Sequence, residues 1–177
     1  AELLTIANHI LGKGQLSLAK YLFITADDTN KISTHHEAEF YQFMLERINL
    51  KRDLHFQTNT SIDTLDYSGT GLNSGSKLVV AAYGDKIREL STSANNQLQE
   101  LTTFYNPQTA FPGVLVLQGN KFESYEKAKQ EFNSFNEEIK QKNVDLKGLP
   151  MIVITDDSSF TAQTLKNWLW VTFTRSN

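Results

Sequence analysis

Short apolar strands that alternate with helices along nearly the whole chain predict an α/β protein, three layers α/β/α, with a mostly parallel sheet covered on both faces. Three observations carry that prediction. Residues 20–25, KYLFIT, form a β-branched and aromatic run that stops at the acids Asp27-Asp28, and residues 151–155, MIVIT, repeat the run before Asp156-Asp157. An aromatic helical pattern ending in arginine follows each copy, over 40–47 to Arg47 and over 168–175 to Arg175. The segments between them carry helical spacing or further buried-strand runs. Because polar groups gather at the carboxyl end of the first run, a ligand at that end is the expectation for an open α/β sheet.

The 177 residues suit a single domain, and 40% apolar residues suffice for a real core. Seventeen basic against 20 acidic residues give a net charge of −3, and no basic stripe is visible, so nucleic acid is not an expected partner. With no cysteine there is neither a disulfide framework nor a thiolate metal site, and a reducing, cytoplasmic setting is compatible. No apolar run approaches the roughly 20 residues that span a bilayer, and no signal peptide is visible. Asn59-Thr60-Ser61 is a formal glycosylation triplet without other secretory features. The opening on Ala1 in a helical pattern and the close in a helix lead to the expectation of a fragment cut from a longer protein.

Taken in order, Leu3, Leu4, Ile6, Ala7, Ile10 and Leu11 predict an amphipathic helix over 2–11, ended by Gly12-Lys13-Gly14. The strand over 20–25 follows. Ser33 or Thr34 is the expected N-cap, with Glu37 closing a capping box, of a helix buried over a wide arc to Ile48. Residues 54–58 read as a weaker strand, 61–76 as loop and 77–83 as strand. Ile87, Leu90, Ala94, Leu98 and Leu101 predict a helix over 85–104, and 106–112 reads as a turn-rich connection. Residues 113–117 form a clean buried strand. Tyr125, Ala128, Phe132, Phe135 and Ile139 predict a helix over 124–142, and Thr161 opens the last helix, with Trp168 in the core and Trp170 as a candidate interface residue.

Few constellations point to chemistry by themselves. Gly69, Gly71 and Gly75 miss the GxGxxG spacing, and Gly75-Ser76-Lys77 inverts the Walker order, so the glycine-rich segment reads as a surface or interface loop. The two acid pairs have the oxygen donors for Mg²⁺, yet acids after a strand ordinarily cap a helix or solvate a loop. His35 and His36 are adjacent on a helical pattern and point about 100° apart, which disfavours a shared metal. Lys20 reads either as a solvated strand end or as a point charge for an anion.

Together these residues resemble a family. The run 19–24, the acids Asp27-Asp28, the helix ending at Arg47 with Lys51-Arg52-Asp53, and the stretch 62–67 leading to Gly75-Ser76-Lys77 are similar to the C-terminal region of UbiD-type decarboxylases, the 3-octaprenyl-4-hydroxybenzoate carboxy-lyases and their relatives. In the first copy Phe43 stands near the family's tryptophan, Glu46 at its threonine and Leu50-Lys51-Arg52-Asp53 at its Pro-Ala-Arg-Asp turn. The second copy keeps Trp168 and Thr174-Arg175. The resemblance covers most of 1–85 and about 150–177; residues 86–149 read as an insertion or extension within one α/β domain over 1–177, by partial duplication.

The resemblance implies reversible nonoxidative decarboxylation of an aromatic acid by prenylated FMN with Mn²⁺ and K⁺, whose ligands and catalytic groups lie in an upstream cofactor domain. Lys20 matches a family lysine that approaches the cofactor phosphate; Thr25, Leu65 and Tyr67 fall where the family lines its substrate. It further implies docking on that upstream domain, homo-oligomer contacts, a cytoplasmic protein, and peripheral membrane association through a lipophilic substrate. An isolated fragment is expected to be inactive. The alternatives are an assembly domain without a direct part in chemistry, and a flavodoxin-like nucleotide module, for which no phosphate loop fits.

Overall fold

A computed structural model describes residues 2–27, 32–66 and 71–174, and the chain divides into two compact units, one within 1–87 and one within 88–175. The first contains α1 (Glu2–Leu11), a 3₁₀ turn (Gly14–Leu18), β1 (Tyr21–Ile24), α2 (Glu37–Arg47), β2 (Leu54–Ser61) and β3 (Ser74–Ala81). Its sheet has the order β1-β3-β2, with β1 parallel and β2 antiparallel to β3.

Strand alternation divides the side chains of this sheet between two helices. Leu22 and Ile24 of β1 stand in register with Val79 and Ala81 of β3, and these four pack with Ala7 and Leu11 of α1. The opposite face carries Tyr21 and Phe23, Leu78 and Val80, Leu54 and Phe56. There Tyr41 of α2 meets Phe23 edge-on at 5.2 Å, and burial, with the charge of Glu37, pushes the Tyr41 phenol up to about 12. The edge strand β2 is bulged between Gln57 and Thr60, where Asn59 adopts a left-handed φ of 56°.

The second unit contains α3 (Asn96–Gln99), β4 (Tyr105–Phe111), β5 (Val114–Gln118), α4 (Tyr125–Gln141), β6 (Met151–Thr155), α5 (Ser158–Gln163) and α6 (Leu165–Thr174). Its sheet is β4-β5-β6, with β4 antiparallel and β6 parallel to β5. Pro112-Gly113 joins β4 to β5, and the Gly113 φ of 87° suits the third position of a type II turn after proline. Val114, Leu115, Val116 and Leu117 are fully buried, as a central strand covered on both faces requires.

The two sheets have one topology in two chain orders. In each, a central strand has an antiparallel hairpin partner and a parallel partner. The helix before the parallel strand covers one face: α1 on Val79 and Ala81, α4 through Phe135 on Leu115 and Leu117. The helix after it covers the other: α2 through Tyr41 on Phe23, α6 through Trp168 on Phe111. The first unit runs parallel strand, hairpin strand, central strand; the second runs hairpin strand, central strand, parallel strand. The repeated run at 20–25 and 151–155 is the parallel strand of each, which is why the sequence displays it twice. Residues 86–149 supply two strands of the second sheet and its longest helix.

Several expectations are corrected. The α/β class stands, but two three-stranded mixed sheets replace one mostly parallel sheet, since a parallel and an antiparallel pair meet at each central strand. Residues 85–104 are not a helix; only Asn96–Gln99 is helical, capped by the Asn95 side chain, which accepts from Leu98 N at 3.0 Å. The segment Ser91-Thr92-Ser93-Ala94-Asn95 offers local side-chain bonds that compete with a helix, and Ser91 is fixed by backbone bonds with Gly148 and Gly113. Leu98 and Leu101 reach the core from this short turn of helix and the irregular chain after it. The connection at 106–112 is strand β4, which tolerates Pro107 because it lies at an edge with irregular register. Helix α2 begins at Glu37 after His36, without a side-chain cap, and Ser33 accepts from His35 N instead. The last helix is interrupted after Gln163.

Candidate functional site

Lys20 stands at the entry of β1, where its carbonyl accepts from Leu78 N at 2.9 Å. Its ammonium lies 3.6 Å from Asp66 Oδ1 and 5.6 Å from the centre of the Tyr21 ring. Asp66 is presented by a short polar turn: Asp63 accepts Leu65 N on its side chain at 2.8 Å and Asp66 N on its carbonyl at 3.0 Å. The adjacent Leu65 is 77% exposed. Lys20 and Leu65 therefore belong to one neighbourhood, joined through the ion pair. Tyr67 lies outside the described residues, as do Asp28 and Arg175.

Thr25 is at the other end of β1, about 16 Å along an extended chain of five residues. Its hydroxyl donates to Ala82 O at 2.6 Å, which ties the exit of β1 to that of β3. The structure thus brings Lys20 and Leu65 together and leaves Thr25 apart from them.

A cleft of about 710 Å³ opens at that carboxyl end, between Leu3 and Ile6 of α1, Ala26, Tyr83, and Arg52 and His55 at the start of β2. The buried Asp53 carboxylate organises one wall. It accepts from Arg52 Nε at 2.6 Å, Arg52 Nη2 at 3.1 Å and Asn49 N at 2.8 Å. Burial opposes its ionisation, but these bonds and the guanidinium charge prevail and hold its carboxyl below the usual range. Polar groups at the strand's carboxyl end point, in the sequence, to the acids after β1; the residue signal for this cleft is Arg52-Asp53 before β2. On the same face the buried Lys77 ammonium donates to Ser17 O and fixes the 3₁₀ turn against the sheet. Burial lowers its pKa.

Among the other polar motifs, Asp27, Asp157 and His36 have partners within the fold. Asp27 accepts from Ile32 N at 2.7 Å, and Asp157 caps α5 by accepting from Phe160 N at 2.9 Å. His36 stands 3.6 Å from Glu39 on an exposed helix start. Among the described residues no three His, Asp or Glu side chains converge as a metal site, and no helix is long and apolar enough to cross a membrane. Of the glycine-rich segment, Gly71 forms an isolated bridge with Ser74, and residues 67–70 lie outside the described residues.

Residues 1–82 match the family described as the 3-octaprenyl-4-hydroxybenzoate carboxy-lyase C-terminal domain. The match takes in a little under half of the 177 residues and most of the first unit. A protein of Chlamydia caviae is 34% identical over 174 residues, 98% of this chain and 27% of the relative. A 4-hydroxybenzoate decarboxylase subunit of Chlamydia pneumoniae is 33% identical over 178 residues, again 98% and 27%. The chain therefore spans about a quarter of the length of these relatives. A solved structure of the vanillic acid decarboxylase of Sedimentibacter hydroxybenzoicus is 12% identical, with a TM-score of 0.43 over 77% of this chain and 24% of that one.

Proposed function

We propose that this chain is the C-terminal domain of a UbiD-like carboxy-lyase, which decarboxylates an aromatic acid such as a polyprenyl-4-hydroxybenzoate in quinone biosynthesis. The family match over residues 1–82 carries the reading. Within it, the domain supplies part of the substrate wall and contacts between subunits, while the catalytic groups belong to an upstream domain. Prenylated FMN, when bound there, supplies the electron sink for decarboxylation.

Lys20 is the residue of this chain that suits such a cofactor. Its ammonium, 23% exposed at the side chain, sits at a strand entry where a phosphate can approach a point charge. One cation is not a phosphate cradle, so the cofactor is held mainly by other parts of the protein. In this reading Mn²⁺ and K⁺ belong to the upstream domain as well. Leu65, next to the Asp66 partner of Lys20, is a substrate-lining candidate in this reading; Thr25 at the strand exit is another, and Tyr67, outside the described residues, is kept as a third. The test is Lys20→Ala in the full-length protein: weakened FMN binding with an unchanged fold supports the reading, and unchanged FMN binding opposes it.

A second reading, assembly without a part in chemistry, draws on the second unit. Phe122 and Tyr125 are both at least half exposed and stack edge-on at 5.3 Å, and Trp170 is exposed on α6. Aromatic residues so placed are enriched at interfaces. A Phe122→Ser, Tyr125→Ser protein with reduced oligomer mass and intact turnover per folded subunit supports assembly; unchanged mass opposes it.

A further inference from the structure

On its α2 side the first sheet carries two cross-strand rows. Phe23, Val80 and Leu54 form one, with Val80 buried and Tyr41 of α2 edge-on to Phe23. Tyr21, Leu78 and Phe56 form the next, in register across the same three strands and ending in Phe56 at 68% exposure. The second unit closes the same position. There Met151, the first residue of its parallel strand as Tyr21 is of β1, pairs with Val114, and Val114 pairs with Phe111. Phe111 is thus the counterpart of Phe56, yet it is 9% exposed, with Trp168 of α6 edge-on against it at 4.8 Å. Helix α2 has no tryptophan to do this, and its Phe43 stacks against the Arg47 guanidinium, whose carbon lies 3.5 Å from the ring centre.

We infer that the row Tyr21, Leu78, Phe56 is the seat of the upstream domain of the same polypeptide, which closes it with a large aromatic side chain borne on a helix, as Trp168 closes Phe111. The counterpart in the second unit sets the chemistry of the occupant, an aromatic ring packed edge-on against the phenylalanine. The area decides where that ring comes from. Aromatic side chains offer about 150–250 Å² each, so Phe56 at 68% exposure, with the partly covered Tyr21 and Leu78, leaves on the order of 300 Å². Two free subunits need about 800 Å² each for a stable interface. A row of this size holds a partner that is already tethered, for which effective concentration makes up the missing area. The chain spans about a quarter of the length of its Chlamydia relatives, and the carboxy-lyase reading supplies such a partner in an upstream domain. The inference rests on that reading and deepens it by naming the docking face and its anchor, Phe56.

In the test, Phe56 of the full-length protein is replaced by the photo-crosslinker p-benzoylphenylalanine, which keeps the aromatic ring, and the irradiated product is mapped by mass spectrometry. The expected result is a cross-link, within one polypeptide, to a residue upstream of this chain. A product of doubled mass puts a second copy on the row; a cross-link to residues within this chain, or none at all, leaves the row without the upstream domain. Each of these overturns the inference. Phe56→Ser gives an independent measurement. The side chain is exposed, so the core stays intact. Proteolytic separation of the upstream domain from this chain should become about tenfold faster, the order expected from uncovering part of an aromatic contact, and Phe56→Leu should recover most of the change. An unchanged rate overturns the anchor. FMN binding by the unsubstituted protein tests the carboxy-lyase reading separately: binding together with an unseated row defeats the inference alone, and absence of binding defeats the reading and with it the partner named here.

Discussion

The Asp66 carboxylate stands 3.6 Å from the Lys20 ammonium, with the two side chains 17% and 23% exposed. A pair so placed at a partly solvated site contributes at most about 1 kcal/mol to stability. Its larger effect is on local potential, because Asp66 offsets the charge at the entry of β1 that an anion would use. Asp66→Asn should therefore leave the unfolding free energy within about 1 kcal/mol and tighten phosphate or FMN binding at low salt. Titration of both proteins at two ionic strengths checks this. Weaker binding in Asp66→Asn would mean instead that the carboxylate positions Lys20.

Much of this arrangement is legible in the sequence, for particular reasons. The runs ending at Ile24 and Ile154 read as strands because β-branched and aromatic residues stop at polar clusters, and both are the parallel strands of their sheets. Strand β4 is hidden by Asn106, Pro107 and Pro112, turn residues that an edge strand tolerates. The helix expected over 85–104 fails because Leu98 and Leu101 fit a helical stripe while the Ser-Thr-Ser-Ala-Asn stretch before them does not favour one. Sheet number is not legible, since the parallel pairs β1-β3 and β5-β6 join strands well separated in sequence and no local pattern says which strands share a sheet. At the candidate site Lys20 stands out by its place before a strand. Its pairing with Asp66 depends on a turn over 63–66 that no periodicity announces.

Lys77 is buried and donates to a neutral carbonyl, the Ser17 oxygen. Burial lowers its pKa, so over the interval below the ordinary value of 10.5 the unfolded chain holds more protons than the folded one. Stability then rises as pH increases through the folded pKa, and the gain is complete above the unfolded value. Lys77→Met should abolish this alkaline rise and be neutral within about 1 kcal/mol near pH 7, since it removes a buried charge and keeps the volume. Both variants give up the bond to the Ser17 carbonyl, so the difference between them is the cavity: Lys77→Ala should be about 2 kcal/mol or more less stable than Lys77→Met. Denaturant unfolding across the alkaline range distinguishes the two.

Trp168 is fully buried and meets Phe111 edge-on at 4.8 Å and Phe173 at 5.3 Å, joining α6 to β4. Trp168→Ala should cost about 3–5 kcal/mol, the range for deleting a large core aromatic. Trp170→Ala, two positions on and exposed, should change stability by less than about 0.5 kcal/mol. Tryptophan fluorescence during urea unfolding measures both, and similar costs for the two variants would contradict the assignment of Trp168 to the core.

Glu138 fastens α4 to the chain entering β4. Its carboxylate accepts from Thr102 N and Thr102 Oγ1 at 2.9 Å, from Thr103 N at 3.0 Å and from Lys142 Nζ at 2.8 Å. Burial opposes ionisation, but these four bonds outweigh it and bring the carboxyl from an ordinary 4.5 down to about 2. A folded value below the unfolded one means that the stabilisation is fully present above pH 4.5 and is lost as pH falls from there through about 2. Glu138→Gln keeps the size and one acceptor but gives up the charge, so it should cost on the order of 2–3 kcal/mol at neutral pH. It should also flatten the acid limb of the stability curve between about pH 4.5 and 2. Unfolding of wild type and variant across that range decides it: parallel acid limbs would show that the stabilisation does not come from the ionised carboxylate, and convergence of the two curves toward pH 2 would show that it does.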